Sequence, residues 1–197
     1  MLKKVLALGM TLMAAATFVA AQGERIASPG GSSATQLGDN GKWIEITSGR
    51  PIRRGRDLWG RGPTYGKTVT GNSTVWRAGA NVSTRLKTEA ALEIGGKAVP
   101  AGEYSLFVDL KSPSQWTLIV SSWGAKQSGD DPRKDALWGA YNYTPDKDVA
   151  RVAMAVGKLP FAIDQLTWNF ADVTPTGGKL VLMWDTVVAT APFGVKP

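Results

Sequence analysis

The chain has 197 residues, neither cysteine nor histidine, and a formal net charge of +7. The missing cysteines exclude disulfide staples. The missing histidines exclude Ser-His-Asp and Cys-His nucleophiles and the usual ligands of zinc and copper; a carboxylate site for calcium or magnesium stays open, but no dense Asp/Asn loop of the EF-hand kind is present, and no metal and no cofactor is expected.

Lys3 and Lys4 precede an almost uncharged run from Val5 to Ala21, and Val19-Ala20-Ala21 offers small residues ahead of Gln22. That is the pattern of a secretory signal peptide over 1–21, and the run is short for a bilayer span of ~20 residues. The expectation is an exported protein, periplasmic or extracellular, with no transmembrane segment after cleavage. Residues 22–35 are rich in Gly, Ser and Ala without apolar periodicity, and read as a flexible leader. Residues 36–197 read as one domain, long enough for a single core.

The elements that follow are short β runs separated by turn chemistry. Trp43-Ile44-Glu45-Ile46 comes after Gly38-Asp39-Asn40-Gly41, a hairpin signal because Asn-Gly accepts positive φ. Thr84–Thr88 alternates, and Ala91–Ile94 leads into the Gly95-Gly96-Lys97 turn. In Glu103–Leu110, Tyr104, Leu106, Val108 and Leu110 share one parity. Trp116–Val120, Val149–Val156, Leu166–Phe170 and Lys179–Val188 complete the strands, and 53–74 and 122–136 read as long loops. The pattern predicts an all-β fold, a single-domain antiparallel β-sandwich or barrel-like sandwich with long loops. Trp43, Trp116, Trp168 and Trp184 are expected in the core, and the loop tryptophans Trp59, Trp123 and Trp138 as anchors of loops onto the sandwich.

Charge is concentrated in one segment. Arg50, Arg53, Arg54, Arg56, Arg61, Lys67, Arg77, Arg85 and Lys87 face Asp57 alone between positions 50 and 87. In an exported protein nucleic acid is not the expected partner; an anionic glycan, a lipid head group or a carboxylate ligand is. Some of these arginines are expected to pair internally with Asp109, Asp148 or Asp185. Gly62–Thr68 looks like a phosphate loop, but Arg61 stands where the motif needs glycine, and no strand precedes it.

One string stands out: Trp76-Arg77-Ala78-Gly79-Ala80-Asn81-Val82-Ser83-Thr84. It sets a cation, an amide and a hydroxyl on a short glycine-containing segment. With Arg50-Pro51, Gly55-Arg56, Tyr65-Gly66, Pro100-Ala101-Gly102-x-Tyr104-Ser105-Leu106, Trp138-Gly139-x-Tyr141 and Asp148-Val149-x-Arg151, in this order, it resembles the exported bacterial family known as domain of unknown function 2911. The resemblance implies secretion and a compact domain, and supplies no activity and no catalytic residues. The chain departs from the family pattern at Thr68–Thr74, which look inserted, and in a longer loop between Trp123 and Trp138.

Arg50, Trp76, Arg77, Asn81 and Thr84 form the candidate polar cluster, either a carboxylate or sugar site or a buried hydrogen-bonded plug that fixes the long loop; the plug is the expectation. The candidate ligand surface is Arg53, Arg54, Arg56 and Arg61, with Trp59 and Tyr65 as stacking platforms. The functional reading is a non-catalytic module for an anionic or glycan-like envelope ligand. The alternatives are a carboxylate-based glycan-active enzyme using Asp109, Asp148 or Glu103, and a purely structural module. Space discriminates among them: facing carboxylates favour the enzyme, an open cleft of Arg and aromatic groups favours binding, and buried paired arginines favour structure.

Overall fold

The computed structural model describes residues 27–38 and 41–196. The expected signal peptide at 1–21 lies outside the described residues, as do Asp39 and Asn40 of the expected hairpin turn. The fold is all-β and sandwich-like rather than a closed barrel. Its strands are β1 (Gly30–Gln36), β2 (Trp43–Gly49), β3 (Ala80–Thr88), β4 (Leu92–Ile94), β5 (Lys97–Val99), β6 (Gly102–Ser112), β7 (Gln115–Ser121), β8 (Gly124–Ala125), β9 (Ala136–Leu137), β10 (Asp148–Thr174) and β11 (Gly177–Val195). Nine of them pair in the order β1-β2-β3-β6-β7-β10-β11-β4-β5, every neighbour antiparallel, while β8 and β9 form a small parallel pair.

β10 turns this ladder into two layers. Asp148–Met154 pairs with β7, and from Ala155 onward the strand pairs with β11. The layers enclose one core that includes Ile44, Ile46, Leu86, Leu106, Leu118, Leu166, Trp168, Leu180 and Leu182. Burying that apolar surface is the dominant favourable term available to a chain without disulfides. The Ser33 hydroxyl donates to the Trp168 carbonyl at 2.7 Å, and Ile52 bridges Gln165. These contacts draw β1 and the end of β2 toward β10 without a continuous ladder.

The strand β1 begins within the stretch read as a flexible leader. Its residues are small and polar, so apolar alternation is absent; backbone pairing with β2 from Gly30↔Gly49 to Gln36↔Trp43 makes it a strand. Trp43 also differs from expectation, being 49 % exposed. Ile44, Ile46 and Ser48 take the inward parity of β2, which turns Trp43 outward. Phe107 and Ile119 are buried despite the opposite parity to the main core, because Val75, Leu137 and Ala140 cover the outer face of β6 and β7. Trp123 helps hold that cover: its Nε1 donates to the Thr144 carbonyl at 3.1 Å, and the Lys147 ammonium sits 3.9 Å from its ring centre.

Candidate functional site

The tryptophan-arginine string is an excursion from a strand. Trp76 and Val108 exchange both backbone hydrogen bonds, and pairing with β6 resumes only at Thr84↔Leu106. Residues 77–83 therefore stand opposite Phe107 alone. Ala78 and Asn81 adopt left-handed backbone conformations, φ 50° and 62°, which are sterically disfavoured for side chains other than glycine and are tolerated best by Asn. The excursion destroys the period-two pattern: Ser83 and Thr84 are neighbours and both are buried.

Buried hydrogen bonds fix it in place. The Ala78 carbonyl accepts from Thr84 Oγ1 at 3.1 Å and from Trp168 Nε1 at 2.9 Å. Ser83 Oγ donates to the Gly139 carbonyl at 2.6 Å. Gly79 is required by space, since a Cβ there would stand 2.7 Å from Thr84 Oγ1 and 3.1 Å from the Gly49 carbonyl oxygen. Thr84 is thus a buried pin, fully enclosed.

Arg77 has a different environment. Its Nη1 donates to the Asn81 carbonyl at 2.7 Å, and its guanidinium lies 5.9 Å from the Tyr141 ring centre and against Gly139. Burial pulls its pKa down from the ordinary value, the neighbouring Tyr141 partly offsetting this. None of the ion pairs among the described residues includes Arg77. A partly desolvated guanidinium with one protein acceptor keeps donors free for a ligand.

Those donors border a cleft of about 290 Å³. Trp76, Arg77, Gly79, Ala80 and Asn81 of the motif line it together with Pro51, Arg56, Trp184, Thr68, Val69 and Ser28. Arg56 is held by its own loop, Nε donating to the Arg53 carbonyl at 3.0 Å and Nη2 to the Ile52 carbonyl at 2.8 Å, with its guanidinium 5.9 Å from the Trp184 ring centre. Trp184 stacks on Trp76 with 6.1 Å between centroids and 15° between planes. No lining residue is acidic. A second cleft of about 340 Å³ adjoins, sharing Ser28, Ala80 and Asn81 and reaching Arg85. Thr68 and Val69, which come from the stretch expected to depart from the family pattern, line the rim.

The structure separates the candidate residues of the basic loop. Arg56 joins Arg77, Trp76 and Asn81 in the cleft. Arg50 is built into the scaffold, Nε donating to the Leu166 carbonyl at 3.2 Å and Nη2 to Thr167 Oγ1 at 3.4 Å. Arg53 pairs with Asp185 at 3.1 Å. Arg54 and Arg61 are exposed and form no ion pair among the described residues. Trp59 packs among Trp76, Trp116 and Trp184, and the Tyr65 hydroxyl accepts from Trp116 Nε1 at 2.8 Å; both also line a separate cleft. Asp109 and Asp148 share Arg151, at 3.3 and 2.7 Å, and the Tyr143 hydroxyl donates to Asp148 at 2.7 Å. Glu103 lies 3.7 Å from Arg85.

Sequence reasoning passed over Ser28, which sits in the supposed leader, and Trp184, which reads as core. Trp184 is core by burial, yet it also lines the cleft. Among the described residues no helix is long and apolar enough to cross a membrane, and no cluster of acidic side chains could hold a metal ion. No curated protein and no solved structure matches the chain. The family model described as protein of unknown function (DUF2911) matches residues 28–193, and the chain belongs to that family.

Proposed function

We propose that the protein is an exported domain that binds a small carboxylate-bearing ligand without transforming it, in the cleft between Arg77 and Arg56. The observation that carries this reading is Arg77: a guanidinium partly withdrawn from water, bordering an open cleft, with no acidic partner among the described residues. A planar fork of this kind suits a carboxylate, which can accept two parallel hydrogen bonds. Arg56 adds a second positive charge to the same cleft lining.

Trp76 and Trp184 are 1 % and 2 % exposed, too enclosed to offer a stacking face to a sugar ring. That favours the carboxylate among the anionic and glycan-like envelope ligands expected from the charge distribution. The acids weighed as catalytic groups do not line this cleft; Asp109 and Asp148 are held by Arg151. Export rests on the Lys3-Lys4, apolar-run and Ala20-Ala21 pattern, and intact-mass analysis of the exported protein should place the mature N-terminus at or near Gln22.

The test is calorimetric titration with citrate and D-glucuronate, with D-glucose as the neutral control, on wild type, Arg77→Ala and Arg54→Ala. Carboxylate binding that survives Arg54→Ala and is lost in Arg77→Ala supports the reading. Equal binding by all three proteins, or no carboxylate binding by wild type, overturns it.

A further inference from the structure

A second surface carries an independent reading. β10 and β11 stay in register to Lys158↔Val187 and resume at Ile163↔Asp185, so residues 159–162 stand opposite Thr186 alone. The surplus bulges outward. Its sequence is Leu-Pro-Phe-Ala; Pro160, Phe161 and Ala162 are exposed, Phe161 by 60 %. A single exposed apolar side chain is ordinary, whereas several contiguous ones on an outward bulge offer an apolar surface to a partner or an interface.

Beside the bulge lies a cleft of about 450 Å³ walled by Trp59, Tyr65, Pro113, Val156 and Val187, with Lys158 in its lining. The Arg53 amide donates to the Asp164 carbonyl at 2.7 Å, which sets the turn carrying Arg54 beside the far end of the bulge. Arg61 is exposed on the loop that supplies Trp59 and Tyr65. Of the nearby carboxylates, Asp185 is paired with Arg53, Asp57 accepts the amides of Trp59 and Gly60, and Asp164 is exposed. Arg54, Arg61 and Lys158 take part in no ion pair among the described residues.

We infer that this face docks peripherally on bilayers containing anionic phospholipid, Phe161 and its neighbours entering the interface while Arg54, Arg61 and Lys158 meet lipid phosphates. The two halves of the surface need each other in this reading. Cations alone would serve any anion, but a soluble anion gives the apolar tip nothing to contact. An anionic leaflet complements both, and the joint use of an apolar surface and basic residues is how peripheral proteins hold membranes reversibly.

The experiment is co-sedimentation with phosphatidylcholine vesicles made with and without phosphatidylglycerol, using the purified protein, Phe161→Asp and Lys158→Glu. All three share one N-terminus, so whatever the apolar run at 5–21 contributes is common to them. Both side chains are exposed, and unchanged thermal melts verify folding. Wild type is expected to sediment with phosphatidylglycerol vesicles and weakly with phosphatidylcholine alone. Phe161→Asp is expected to bind about tenfold more weakly, and Lys158→Glu several-fold more weakly, with the difference shrinking as salt rises. Binding indifferent to phosphatidylglycerol, Phe161→Asp binding like wild type, or displacement of wild type by soluble glycerol phosphate each overturns the proposal, the last by assigning Arg54, Arg61 and Lys158 to a free head group.

Discussion

Gly139 and Arg77 test the geometry of the proposed carboxylate site through stability alone. Gly139 has φ 62°, and a Cβ placed on it would lie 2.5 Å from Arg77 Cζ and Nη1. Gly139→Ala therefore has two consequences. Alanine in the left-handed region costs roughly 1–2 kcal/mol. The guanidinium must also move, losing its hydrogen bond to the Asn81 carbonyl, which adds about 1 kcal/mol. The single variant should lose about 2–3 kcal/mol. Arg77→Ala alone should lose no more than about 1 kcal/mol, because relieving a partly desolvated cation offsets the lost hydrogen bond. With Arg77→Ala already present, the methyl of Gly139→Ala meets no guanidinium, and only the backbone term of roughly 1–2 kcal/mol remains. The double variant is thus expected to be more stable than the sum of the singles by about 1 kcal/mol. Urea melts followed by tryptophan fluorescence measure all four corners of the cycle. Additivity within about 0.3 kcal/mol would refute the packing of Arg77 on Gly139, and with it the direction in which the guanidinium presents its donors.

Trp168→Phe removes the indole donor to the Ala78 carbonyl from a side chain only 3 % exposed, and urea melts should show a loss of about 2–4 kcal/mol. Asp148→Asn weakens an acceptor that serves both Tyr143 and Arg151, so a loss of about 1–3 kcal/mol is expected, and near-ultraviolet dichroism should report the freed Tyr143. The Tyr143 pKa is raised, first by burial and then by the hydrogen bond to Asp148 and its charge. Native Tyr143 therefore keeps its proton where an unfolded tyrosine, with a pKa of ~10, gives it up. Its contribution is complete below pH ~10 and falls as pH rises above that value. Urea melts across that range should show a steeper alkaline decline in wild type than in Tyr143→Phe.

The layers of the sandwich were legible because burial and alternation coincide in most strands. Tyr104, Leu106 and Val108 share a parity and enter the core together. β1 was not legible, since a strand held by backbone pairing and built of Gly, Ser, Ala, Thr and Gln carries no apolar period. Trp43 misled because residue type suggested the core while the parity set by Ile44 and Ile46 excluded it. The motif was legible as a polar string between apolar regions, but its division was not. A uniform strand would have set Asn81 and Ser83 on one face; the left-handed Ala78 and Asn81 instead bury Ser83 and Thr84 and leave Arg77 at a cleft. Positive φ at alanine leaves no trace in composition. The partners of the arginines depended on distances that only the fold supplies: Asp185 meets Arg53, while Asp109 and Asp148 meet Arg151 from outside the basic segment.

The central claim is that Arg77 and Arg56 jointly receive a carboxylate. Nuclear magnetic resonance of the arginine Nε–H groups during a citrate titration tests it most directly, because each guanidinium reports separately. The Arg77 and Arg56 signals should shift together and saturate at one ligand concentration, while Arg50 and Arg53, held by the scaffold and by Asp185, stay in place. Saturating shifts at Arg54 and Arg61 with Arg77 unmoved would contradict the account.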